Sequence, residues 1–126
     1  MKEVMAIIRM NKINQTKKAL AEAGISSMHA RECLGRGKGL VDLEVLKGAE
    51  AGYEEAISLL GNSQRLIPKR MVSVAVPEKL VGRAVSSIIA VNRTGKPGDG
   101  KIFVLPLLDS IRIRTGETGD ETLDEG

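Results

Sequence analysis

The apolar positions of this chain change period in a regular order. Residues 2–9 (Lys-Glu-Val-Met-Ala-Ile-Ile-Arg) form a short apolar run of the kind a buried strand carries. Ile13, Thr16, Lys17, Leu20 and Ala23 then fall along one side of a helix. Asn11 or Asn14 can cap that helix, and Gly24 supplies its stop signal. Ile25 to Leu34 reads as a second strand of mixed pattern. From Gly35 to about Lys69 the pattern is poor. Val41, Leu43 and Val45 alternate there, Glu54 to Leu60 could make a helical turn or two, and Gly61-Asn62-Ser63 signals a turn. Clean alternation returns at residues 70–76, with Val72, Val74 and Val76 on one face. Pro77 suits the first turn of a helix, whose apolar stripe is Leu80, Val81, Ala84, Val85, Ile88 and Ile89. Ile102 to Leu105 is a further strand, and Ile111 and Ile113 continue an extended segment. The order predicts an α+β domain, the ferredoxin-like split βαβ arrangement, with both helices on one face of an antiparallel sheet and an extra C-terminal extended segment. The domain would span 1–114, with a long loop at about 36–68. Thr115 to Gly126 is an acidic, glycine-bearing tail whose composition suits a mobile end. The second sheet face also carries apolar side chains, and association of copies is the simple way to cover it.

Composition narrows the classes. Only 2% of residues are aromatic, so the core is aliphatic and a base-stacking RNA platform lacks its rings. The net charge of +3 is mild, and no dense Lys/Arg block suggests nucleic acid. Apolar runs fall far short of the ~20 residues a membrane span needs, and Met1-Lys2-Glu3-Val4 shows no apolar leader core. Cys33 stands alone, so no intrachain disulfide is expected. These features suit a soluble cytoplasmic protein.

The candidate chemistry is anion binding. Gly35-Arg36-Gly37-Lys38-Gly39 and Thr94-Gly95-Lys96-Pro97-Gly98-Asp99-Gly100-Lys101 are glycine-rich loops bearing lysine. Glycines let the backbone approach an anion and turn its N–H groups toward it. Gly95, Gly100 and Lys101 nearly spell a phosphate-binding P-loop, but Ile102 stands where a magnesium-holding Ser/Thr belongs, and the next segment reads as a strand rather than a helix. The P-loop reading is therefore rejected. A tight helix-to-strand turn with a solvated lysine remains the plain alternative. Arg112 and Arg114, two apart on an extended segment, would share a face. Their alternative is a surface pair near Glu117, Asp120 and Glu121. His29 and Cys33 make no metal site between them, and no catalytic constellation stands out, so the chain is not read as an enzyme; slow incidental ATP hydrolysis is the weaker alternative.

These motifs resemble the PII signal-transduction proteins over nearly the whole chain. Thr94 to Val104 is similar to that family's C-terminal signature, and Ile111-Arg112-Ile113-Arg114-Thr115-Gly116 to the arginine strand after it. Met5-Ala6-Ile7-Ile8, Ala19 to Ile25 and Lys47-Gly48-Ala49-Glu50 also look like PII. The resemblance implies a trimer with ATP or ADP in each cleft between subunits. Gly98, Asp99, Gly100 and Lys101 would then wrap the phosphates, with Arg112 and Arg114 reaching in from a neighbouring copy. Gly35, Gly37 and Lys38 would close the other side, Thr94 and Gly95 would sit near the nucleotide, and Ala75 near the adenine. It also implies 2-oxoglutarate, held partly by Lys69 and near Gly37, and allows magnesium as an accompanying ion.

Two departures qualify this. Gly37-Lys38-Gly39 lacks the loop glutamine that helps hold magnesium and 2-oxoglutarate in the family, and Leu46 replaces the tyrosine that some relatives uridylylate. The loop is also long, with Asn62-Ser63-Gln64-Arg65 before Ile67-Pro68-Lys69. In this it resembles the longer of the paired nitrogenase-regulatory PII-like proteins of archaea and anaerobic bacteria. The implied function is inhibition of dinitrogenase by direct contact, alone as a homotrimer or mixed with the shorter paralogue, relieved by ATP and 2-oxoglutarate. A different target, such as a transporter or a biosynthetic kinase, is the alternative.

Overall fold

The computed structural model describes residues 1–36 and 66–123. Strand β1 (Lys2–Arg9) leads through a 3₁₀ turn, Met10–Lys12, into helix α1 (Ile13–Glu22). Strands β2 (His29–Gly35) and β3 (Ile67–Val76) follow, then helix α2 (Val81–Asn92) and strand β4 (Lys101–Pro106). The strands form one four-stranded antiparallel sheet in the order β2-β3-β1-β4. This is the ferredoxin-like fold expected from the sequence.

Alternation builds the core. Val4, Ala6 and Ile8 of β1 and Val72, Val74 and Val76 of β3 are buried on the face that the helices cover. Leu20 from α1 and Ala84 and Ile88 from α2 close over them. The intervening residues point to the other face, where Glu3, Met5, Ile7 and Arg9 lie beside Lys69, Met71, Ser73 and Ala75. Along β4 and beyond it, Phe103, Val104, Leu105, Leu108 and Ile113 remain exposed.

Several local expectations change. Neither Asn11 nor Asn14 caps α1; its N-cap is Lys12, without a side-chain bond, because the 3₁₀ turn already leads the chain into the helix. Gly24 does end α1, at φ +85°, with Gly24 N–H donating to Ala21 O and Ile25 N–H to Leu20 O. That closure buries Ile25 under the helix end, so β2 begins only at His29. Pro77 is extended and precedes a 3₁₀ turn, Glu78–Leu80, rather than opening α2 itself. The extended segment around Ile111 is the largest difference. Ile111 makes an isolated bridge with Thr118, Arg112 N–H donates to Glu117 O, and the chain turns between them. Residues 115–123 are therefore folded back, and Thr122 and Leu123 are buried. The expectations for the loop ribbon, the loop helix, Gly37, Lys38 and Leu46 lie outside the described residues.

Candidate functional site

The site begins with register. Antiparallel pairing sets Arg9 at the end of β1 directly opposite Lys69 near the start of β3. Like charges at directly opposed positions repel. The loop after α2 supplies the groups that offset them. Arg9 Nη1 lies 2.7 Å from Asp99 Oδ1, and Arg9 Nη2 donates to Pro97 O at 3.1 Å. Lys69 Nζ donates to Gly98 O at 3.1 Å. Two cations thus converge on a segment that carries a single carboxylate, Asp99, and their sum stays positive.

Asp99 organises its own loop. Its Oδ2 accepts from Thr94 N–H at 2.8 Å and from Gly95 N–H at 3.0 Å, and its Oδ1 also accepts from the Thr94 hydroxyl. The Thr94 hydroxyl and N–H, then Arg9 and Gly95 N–H, hold its carboxyl well below the usual carboxylate range. A group whose folded value is depressed contributes stability above its unfolded value, and that contribution disappears as pH falls. The loop should therefore hold its shape from neutral pH down past 3.8, the ordinary Asp value, and loosen only in stronger acid. Carbon-detected NMR of the Asp99 carboxyl tests this. A midpoint near or above 3.8 would show that the contacts are not made.

Glycine conformation fixes where the loop runs. Gly98 and Gly100 take φ of +98° and +109°. Gly100 passes so close to the central strand that an added Cβ would lie 1.9 Å from Ile7 O. Lys101 pairs with Ile7 immediately afterwards. Beside this point a cleft of about 300 Å³ opens between α2, β1 and β4, walled by Ile7, Val85, Ile89 and Ile102, with Arg93 and Lys101 among its lining.

Of the residues anticipated from sequence, Lys69, Thr94, Gly95, Gly98, Asp99, Gly100 and Lys101 are gathered in this region. Gly35 ends β2 opposite Ile67, where the long loop leaves and returns. Ala75 is set apart: it shares a row with Glu3 and Leu105 rather than with Ile7 and Lys101, about 13 Å further along strands that rise ~3.3 Å per residue. Arg112 and Arg114 do not share a strand face as expected, because Arg114 falls in the turn. Arg112 is instead closed within its hairpin, 3.1 Å from Glu117 Oε1, with Nη2 donating to Glu121 O at 3.0 Å. The Thr115 hydroxyl first, and the Arg112 charge second, lower the Glu117 carboxyl. These contacts tie Arg112 to its own hairpin. The sequence reading missed Arg9. The signal was available: in a split βαβ fold the end of β1 adjoins the start of β4, so a cation closing β1 faces whatever precedes β4.

Among the described residues nothing is arranged to hold magnesium directly. The Asp99 oxygens are already occupied by donors, and the described residues contain no cluster of His, Cys, Asp or Glu able to hold a metal.

Comparison with known proteins now defines the class. The sequence profile described as "Nitrogen regulatory protein P-II" matches residues 1–117. The chain is 44% identical over 128 residues to "Nitrogen fixation nifHD region GlnB-like protein 2" of Methanobacterium ivanovii, covering 98% of this chain and 99% of that protein. It is 37% identical over 123 residues to "Nitrogen regulatory protein P-II" of Rhodobacter capsulatus, covering 98% and 100%. Among solved structures, Arabidopsis thaliana PII bound to citrate superposes with a TM-score of 0.74 at 29% identity, covering 99% of this chain and 91% of that one. The chain belongs to the P-II family of nitrogen regulatory proteins, and to its nitrogenase-associated type. The matched profile and the Rhodobacter relative carry the name of regulatory proteins. No helix among the described residues is long and apolar enough to cross a membrane.

Proposed function

We propose that this protein is a cytoplasmic nitrogen-status sensor that binds an adenine nucleotide and 2-oxoglutarate and uses its long loop to inhibit nitrogenase by direct contact. The observation that carries the reading is the opposed pair Arg9 and Lys69 at Gly98, where two cations face one carboxylate. One carboxylate of an added oxoacid would balance the remaining positive charge. Lys101 and the positive-φ glycines stand alongside for phosphates, and the apolar cleft next to them suits part of a base or ribose. The citrate bound by the Arabidopsis relative supports a polycarboxylate ligand, and the nifHD-region names of other relatives support nitrogenase as the target.

Assembly completes the site in this reading. Phe103, Val104, Leu105 and Leu108 are exposed apolar surface along one edge, which a trimer, homomeric or mixed with a shorter paralogue, would cover. Residues distant within one copy, Ala75 and the Arg112–Arg114 hairpin, would then approach the 94–101 loop of a neighbour, with Gly35, Gly37 and Lys38 closing the cleft. Lys69 lies just after the return of the long loop at Ile67. A ligand on Lys69 is therefore placed to bias that loop. A tenfold shift in loop population needs about 1.4 kcal/mol of differential binding, and one hydrogen bond to a charged group, worth about 1.5–3 kcal/mol, suffices.

Calorimetry tests the reading. ATP or ADP should bind the assembled protein, and 2-oxoglutarate should bind more tightly once ATP is present. Nitrogenase inhibition should then be relieved as 2-oxoglutarate rises. Absence of nucleotide affinity in correctly assembled protein would overturn the proposal.

A further inference from the structure

Behind the loop lies a buried polar contact that packing alone does not call for. Asn92, the last residue of α2, donates from Nδ2 to Thr16 Oγ1 at 3.0 Å and to Ile88 O at 2.9 Å. Thr16 in turn donates to Lys12 O at 2.8 Å. Both side chains are buried, and Asn92 Oδ1 is buried with no partner. A buried polar pair has no stability advantage over an apolar pair of similar shape in the same place, which would be neutral or better. Stability therefore gives no reason for the arrangement.

Its location does. Arg9 is joined to Lys12 by the 3₁₀ turn that follows β1, and Asn92 is joined through Arg93 to Thr94. Thr94 holds Asp99, and Asp99 holds Arg9. The contacts close a ring: Arg9, Lys12, Thr16, Asn92, Thr94, Asp99 and back to Arg9. Two of its links run through the chain and the others through hydrogen bonds. We infer that Thr16 and Asn92 form a positioning clasp, which fixes the end of α2 against the start of α1 and so sets the Asp99 loop at its distance from Arg9.

Thr16 is not among the residues lining the cleft, while Asn92 forms part of its wall beside Arg93; the role inferred for the pair lies in the hydrogen bond between them, not in a ligand contact. The clasp works on the helix ends, and the site residues follow. Hydrogen bonds, unlike interchangeable apolar contacts, hold only in one rotation and translation of the two helix ends.

The test sets site order against global stability. In Thr16→Val/Asn92→Leu, the thermal midpoint should be equal to or above that of the wild type. The Thr94 and Gly95 amides, which donate to Asp99, should nevertheless exchange with solvent about tenfold faster, a change in local opening of about 1.4 kcal/mol. Thr16→Ser keeps the hydroxyl and loses a methyl, so it should lower the midpoint and retain amide protection. If the double variant does not fold, Asn92→Ala is read by the same exchange measurement. Unchanged Thr94 and Gly95 protection in the folded variant overturns the inference, as does equal loss in Thr16→Ser. Only a second readout rests on the ligand reading above: 2-oxoglutarate affinity, measured with ATP present, should fall about tenfold in the double variant. Wild-type protein that takes up no 2-oxoglutarate would sink that reading and leave the exchange result to decide the clasp.

Discussion

Gly100→Ala is expected to disable the protein more thoroughly than any other single methyl addition in the 94–101 loop. Its backbone has φ +109°, and the new Cβ would sit 1.9 Å from Ile7 O. Ile7 cannot retreat, because β1 is held on both sides, by Met71 of β3 and Lys101 of β4. The loop must move instead, carrying Asp99 away from Arg9 and Lys101 out of register. Backbone strain of about 1–3 kcal/mol adds to an overpacking cost of about 1–3 kcal/mol. Together these take a large share of the ~5–15 kcal/mol that holds a domain folded. Gly95→Ala is the control: φ is +82°, but nothing lies within 4 Å of the added carbon, so only the left-handed strain of about 1–2 kcal/mol applies. Urea denaturation should place Gly100→Ala well below Gly95→Ala, and calorimetry should find nucleotide affinity lost in the first and reduced in the second. Equal midpoints for the two variants would mean that the close approach to Ile7 is not what fixes the loop.

The contrast between those glycines shows what a sequence can and cannot disclose. The apolar run of β1, the valine alternation of β3 and the apolar stripe of α2 are local patterns, set by which face meets the core, and they predict these elements. Gly24 is a local stop signal and behaves as one. Glycine enrichment around Asp99 is visible as well, but which glycine is indispensable depends on the carbonyl of Ile7, far away in the chain. Arg9 is hidden for the same reason: it is one cation closing an apolar run until register places Lys69 opposite and the Asp99 loop above. The Arg112–Arg114 spacing misleads because period-two reasoning holds only while a strand continues. Here Gly116, at φ +75°, helps turn the chain, and Glu117 closes on Arg112. Resemblance to a family anticipated ligand classes that periodicity does not contain, and their residues in this chain await the binding measurements.

Removing either cation of the opposed pair is the decisive experiment for the ligand reading, and the two should fail differently. Lys69 makes one contact to the loop, with Gly98 O. Lys69→Ala should therefore leave the loop intact and cost 2-oxoglutarate one charge-assisted contact, about 1.5–3 kcal/mol or roughly 10–150-fold in affinity. ATP affinity should change little, and the variant should go on inhibiting nitrogenase when 2-oxoglutarate is abundant. Arg9 does more: its fork holds Asp99 and Pro97 O at once. Arg9→Ala should weaken 2-oxoglutarate and nucleotide together, because the Gly98–Lys101 stretch, proposed above to face the phosphates, loses its anchor. Arg9→Lys separates charge from shape. A lysine restores the positive charge but is a point donor without the planar fork, so 2-oxoglutarate affinity should recover only in part. Calorimetry on each variant, with and without ATP, reads all of these. If Lys69→Ala binds 2-oxoglutarate as tightly as the wild type and still releases nitrogenase in response to it, the opposed cations are a structural pair balanced by Asp99 alone, and the sensor reading of this site fails.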